Sequence, residues 1–259
     1  MSDSFAIIVG TKRGSKRLDN ISTFIEETTR ANYHYLYRGG PLHRENGPAV
    51  QYHNGAYEWF RMGQKHRTSA PALWWPDGSY EWWEEGHLHR EGAPALSYAD
   101  GQKEWWVHGF RHRVGGPAVT RSDGQKEWWK MGHLHRLGAP AIEGADGSWA
   151  FYIEGKAHRL DAPAIRLFDG TYQWWEEGRK HRIGAPAVIH SHGGYEWWEE
   201  GHLHRLDGPA IDYPNGYKEW WQKGKHQRQK DLSCQDIQIT VSIGFSAIHQ
   251  ENNLVTSDG

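Results

Sequence analysis

The sequence is short of cysteine, of long apolar runs and of net charge. Its one cysteine, Cys234, excludes an intrachain disulfide framework and a cysteine-based zinc site, and the expectation that follows is a reducing, cytoplasmic setting. The longest apolar run near the start, Phe5 to Val9, is far too short for a signal peptide or a membrane span, so the chain reads as soluble, with no membrane span. Lys plus Arg number 30 against 32 Asp plus Glu, leaving no one-signed field for a nucleic-acid partner to exploit. The hydrophobic share is 37% and mean hydropathy is -0.86, so aliphatic side chains alone make a thin core. What is abundant is aromatic: 16 Trp and 12 Tyr supply large burial per residue, which argues against disorder and for a core built of rings.

Those rings recur at a fixed step. Pro-Ala falls at Pro48, Pro71, Pro94, Pro117, Pro140, Pro163, Pro186 and Pro209, always 23 apart, and His-Arg keeps the same step from His43 to His204. So do the aromatic twins, from Trp59-Phe60 through Trp82-Trp83 and the variant Phe151-Tyr152 to Trp220-Trp221. Eight units run from about Pro41 to Gly224 without an insertion. Stacked units keep their length to stay in register, whereas a domain built around one pocket has no such reason, so the period itself argues against an enzyme.

Each unit reads as two short strands joined by a turn, Asn-Gly or Asp-Gly in seven of the eight, Asn and Asp being residues that tolerate positive φ. The second strand is aromatic and ends at a recurrent glycine such as Gly63 or Gly86. The residue after each Pro-Ala is aliphatic in all eight units (Val50, Leu73, Leu96, Val119, Ile142, Ile165, Val188, Ile211), which marks an inward column. Scarce aliphatics also place the row Trp82, Trp105, Trp128, Trp174 and Trp197 in the core and leave the second ring of each twin partly exposed. Thr23-x-x-Glu26 fits a capping box for a helix near 24 to 31, and 236 to 245 alternates as a half-buried strand. The expected organisation is an N-terminal cap with a short strand and helix (1–40), the repeat domain (41–226), and a C-terminal capping strand with a loose tail (227–259).

The stretch DGSYEWWEEGHLHREGAPA, residues 77 to 95, resembles a MORN-type repeat: 23 residues with an Asp/Asn-Gly turn, an aromatic strand, a glycine and a basic segment. It is more similar to variant MORN-like repeats with a G-x-x-H-R-x-x-G-P-A signature, met in bacterial antitoxin-like proteins and in phage and large-virus proteins. The likeness covers 41 to 224, although Trp-Trp and His-Arg-x-x-x-Pro-Ala stand where typical units carry glycines. It implies an all-β, elongated, twisted array of antiparallel hairpins that binds proteins and catalyses no reaction; a closed β-solenoid is the alternative architecture.

Several residues invite a chemical reading. His87/His89, His133/His135 and His202/His204 have a spacing that lets two rings share a strand face and hold a metal, but only three units have the first histidine and no cysteine completes a site, so no metal and no cofactor is expected. The arginine column from Arg44 to Arg205 stacks like charges, and Glu58, Glu81, Glu104, Glu127, Glu196 and Glu219 stand ready to pair with it. Units five and six carry Ala150 and Gln173 instead, which points to Arg159 and Arg182 as an anion site. In a repeat protein, departures from the consensus are where binding is written. Those departures are Trp74-Trp75 in unit two, Trp149 and Tyr152 in unit five, and the rim residues Phe110 and Arg111. The expected function is a non-enzymatic scaffold for a protein partner, antitoxin-like or directed at a host or its defences. The alternatives are a sugar or small anion in an aromatic groove, or a self-assembling rod, which makes a homo-oligomer a second partner class.

Overall fold

The computed structural model describes residues 33–34 and 40–227, and among them every regular element is a β-strand. The helix expected near 24 to 31 and the strand expected over 236 to 245 lie outside the described residues. No helix among the described residues is long and apolar enough to cross a membrane.

Each unit carries four two-residue strands rather than two, as unit two shows. Leu73–Trp74 and Tyr80–Glu81 form the first hairpin; Trp83–Glu84 pairs with His87–Leu88, across the boundary to the next unit, in a second. Trp82 divides them: its N–H donates to the Ala95 carbonyl at 2.7 Å, while its own carbonyl accepts the His89 N–H at 3.1 Å. One residue thus hands the chain from the first sheet to the second, and only the last copy, Lys218–Gln222, runs through as one strand.

The first hairpins join into a single antiparallel meander. Leu96 pairs with Glu81 of the preceding unit and with Glu104 of its own, and this register repeats along 17 consecutive strands from Tyr33–His34 to Lys218–Gln222. Equivalent strands of successive units never pair directly, as the parallel stacking of a solenoid would require, and the first and last strands do not meet. The architecture is an open all-β repeat array. Beside the meander stands a row of separate small hairpins, each tied to the preceding one by a backbone bond such as Gly86 N–H to the Lys65 carbonyl at 2.9 Å.

The two turns of a unit use different devices. In the second hairpin, Glu85 and Gly86 have φ of 47° and 77°, a two-residue turn with both centres left-handed. In the first, only glycine takes positive φ (Gly78, 91°), and Asp77 acts through its side chain, Oδ1 accepting the Ser79 N–H at 2.8 Å. The Asx turn, not tolerance of positive φ, is therefore why Asp or Asn stands there.

The fully buried positions are small. All eight alanines of Pro-Ala, from Ala49 to Ala210, are inaccessible, and the aliphatic column beside them is buried or nearly so. The rings are not the deep core: both tryptophan rows are half-buried, which corrects the expectation of a buried first row and agrees with a partly exposed second. A meander whose strands are two residues long has no interior thick enough to enclose an indole, so the rings pave its surfaces and are covered by cations instead.

Candidate functional site

The chemically suggestive residues are each committed to holding the array. The histidine column is an acceptor column: Nδ1 of His43, His66, His89, His112, His135, His158, His181 and His204 accepts the N–H of the left-handed turn residue 19 positions on, at 3.0 to 3.4 Å. Beside this column, His87 and His202 each place Nδ1 3.0 Å from a turn carbonyl, and among the described residues no group of three metal-binding side chains converges.

The arginines do not pair with the glutamate column. Every guanidinium donates from Nη1 to the carbonyl of the proline four residues on, at 2.9 to 3.3 Å. Seven of them also lie 3.7 to 4.2 Å over the first ring of the preceding aromatic twin. Arginine is suited to both tasks because its plane stacks on an indole while its edge donates. Arg159 over Phe151 and Arg182 over Trp174 sit as the others do, so no pair of orphaned guanidiniums marks an anion site. Burial holds the Arg182 guanidinium below its ordinary value.

The glutamates serve the other tryptophan row. Residues directly opposite in the meander share a face, so Leu73 and Glu81 lie together, and Trp83, two residues on from Glu81, joins them. Nε1 of Trp83, Trp106, Trp129, Trp198 and Trp221 donates to the carboxylate two residues back, at 2.7 to 3.0 Å. In unit six the acceptor is Gln173, 2.9 Å from Trp175. Unit five has Tyr152 in place of the tryptophan and Ala150 in place of the acid, so the donor and the acceptor disappear together. Glu127 is the most engaged, with further bonds from Arg121 Nε and Nη2 and from Gln125. Burial pushes its carboxyl up, but the bonds from Arg121, Trp129 and Gln125 outweigh this and hold it below the ordinary range. Glu196 is likewise held down, against burial, by His190, Trp198, Lys180 and Tyr213, and partial burial together with the bond to Glu196 pushes the half-buried Tyr213 phenol up to about 12.

The residues expected to bind are spread over six units. Trp74 and Trp75 point to opposite faces, both half-buried, and Trp74 stacks on Tyr57 at 5.5 Å. Arg111 lies between Trp106 and Trp129 and is bonded to Glu104 at 3.1 Å, while Phe110 is exposed over Gly132. Trp149 packs edge-on against Phe151, with the Arg159 guanidinium 5.9 Å away. Tyr152 is half-buried in its small hairpin, opposite Ala157. Of the eight, Arg159 and Arg182 come together, at the two sides of a groove of about 390 Å³.

That groove leads to what the columns above do not contain. It lies between successive His-Arg loops, and its rims are the residues directly after the arginines, Leu160 and Ile183. Equivalent grooves occur between Arg113 and Arg136 and between Arg182 and Arg205. The post-arginine position reads Glu45, Thr68 and Glu91 in units one to three, then Val114, Leu137, Leu160, Ile183 and Leu206. These five aliphatics are 85%, 71%, 60%, 80% and 70% exposed. Each unit adds two strands, so successive ridges stand roughly 10 Å apart and the stripe runs on the order of 40 Å. Beside each ridge the loop is Gly, Ala, Asp and Pro, which keeps the flanks low. The signal is in the sequence, in the residue just after His-Arg, across that pair from the variable rim positions Phe110 and Arg111.

Fold and site together define an open β-hairpin repeat array with a one-sided apolar stripe over its second half. No protein-family model matches the chain, and no curated protein matches its sequence.

Proposed function

We propose that the protein is a non-enzymatic repeat scaffold that binds another protein along the stripe from Val114 to Leu206. The observation that carries this reading is the stripe itself. Five consecutive units expose an aliphatic side chain at one position where the first three units do not, and no packing requirement of the repeat asks for it. An exposed apolar surface of this length, interrupted by grooves, is the kind of patch that protein interfaces cover. The non-enzymatic part rests on the motif's His, Arg, Glu and Trp, which each hold another part of the fold. The G-x-x-H-R loop with Pro-Ala supports a MORN-like assignment, and through that likeness an antitoxin-like role or one directed at a host or its defences.

A photo-reactive amino acid at position 160 tests the binding. The expected result is a discrete cross-linked protein adduct in native lysate, absent when the probe stands at the exposed turn position 122 and lost when Ile183→Asp is added. Equal labelling from both positions, or an adduct indifferent to Ile183→Asp, overturns the reading.

A further inference from the structure

The stripe carries information about its occupant. Its grooves differ in the side chain contributed by the second hairpin: Lys130 in the groove at Val114, Glu176 in the groove between Leu160 and Ile183, and Glu199 in the groove between Ile183 and Leu206. All three are exposed. Arginines line all three grooves, and against that common background the charge at this one position reverses, from Lys130 near one end of the ridge to Glu199, 3.3 Å from His204 Nε2, near the other, with Leu160 third of five at the midpoint. Ridge and groove alternate at the unit spacing, so a partner that meets the stripe ridge to ridge along its length must carry apolar side chains at the same spacing. A second copy of this chain does so by construction, and a two-fold axis makes the surface complementary to itself.

We infer that the stripe is the interface of an antiparallel homodimer, with the two-fold axis at Leu160. This rests on the reading of the stripe as a protein-binding surface. About that axis, Val114 lies opposite Leu206 of the second copy and Leu137 opposite its Ile183, while the Lys130 groove meets the groove that holds Glu199. A parallel arrangement sets Lys130 against Lys130 and Glu199 against Glu199, like charges at an apolar surface, which is costly. The antiparallel arrangement turns the same residues into two equivalent ion pairs, one at each end of the ridge. The apolar ridge supplies the association and the charges choose its direction.

Sedimentation equilibrium of the full chain reads this directly. The wild type is expected to be a dimer and Leu160→Asp a monomer with an unchanged far-ultraviolet spectrum, because the substituted side chain is exposed. Lys130→Glu alone and Glu199→Lys alone are each expected to weaken the dimer by about tenfold or more, and Lys130→Glu/Glu199→Lys to restore it to near the wild-type constant. A wild type that stays monomeric at every accessible concentration, a dimer that survives Leu160→Asp, or single reversals that the double reversal does not rescue would each overturn the inference. A monomer that still gives the Ile183-dependent adduct from position 160 refutes the homodimer and leaves the stripe with a different protein partner; a monomer without that adduct refutes both.

Discussion

Glu127→Ala is expected to destabilise the protein by about 3 kcal/mol in urea unfolding followed by tryptophan fluorescence. Glu127 is 4% exposed and accepts from Arg121, Gln125 and the Trp129 indole, so its removal takes the acceptor from three donors at once, the half-buried indole N–H among them. Glu127→Gln keeps an acceptor for the indole, as Gln173 does for Trp175, and is expected to recover about half of that loss. The same bonds fix the direction of the pH dependence. The Glu127 and Glu196 carboxyls are held below their ordinary value of 4.5 in the folded chain, so protons bind the unfolded chain more readily. Their contribution is complete above that value and disappears as pH falls through the lower folded values. The stability of Glu127→Gln should accordingly fall less between neutral pH and acid than that of the wild type. An equal acid response from wild type and variant, or a Glu127→Ala loss below about 0.5 kcal/mol, the scale of an ordinary surface change, contradicts the assignment.

Ala118→Leu is the second large effect. Ala118 is fully buried, and its backbone is held on both sides, the carbonyl accepting the Trp105 N–H and its own N–H donating to the Glu127 carbonyl, each at 2.8 Å. Three added heavy atoms have no space at a point where the strand cannot move, and the cost is expected to be about 3 kcal/mol, the upper end of the overpacking range. Because each unit contacts only its neighbours, the damage falls on the coupling between adjacent units, and the single unfolding transition should broaden or split. Leu160→Ala, which removes as much side chain as Ala118→Leu adds, is expected to shift stability by no more than about 0.5 kcal/mol. A comparable loss from the two variants would place the stripe in the core and refute the account.

How much of this was legible depends on which physical constraint wrote each residue. The 23-residue step, the turns and the inward column Val50 to Ile211 were legible because stacking requires them in every unit, and repetition makes them visible. The partners of Arg and Glu were not. Charge pairing is the obvious match for two opposite columns, but here proline carbonyls and indole planes take the arginines, and indole N–H groups take the acids. The clue was the joint loss of acid and tryptophan at Ala150 and Tyr152, which reads as a missing arginine partner until the Trp83–Glu81 bond is seen. The depth of the rings was illegible for a related reason: an abundance of aromatics does not fix their burial, and two-residue strands leave room for alanine, valine and leucine but not for an indole. The stripe was missed because each of its members alone is an ordinary exposed Val, Leu or Ile, and only the column, set against Glu45, Thr68 and Glu91, makes it a surface.

On the proposed reading, the repeated columns carry the fold and the stripe carries the binding. Both halves are read on one variant, Leu137→Ser/Leu160→Ser/Ile183→Ser, by measuring its urea unfolding midpoint beside its sedimentation. The expected result is a midpoint close to that of the wild type together with complete loss of the dimer. A midpoint that collapses, or an assembly that persists with all three side chains removed, would contradict the claim.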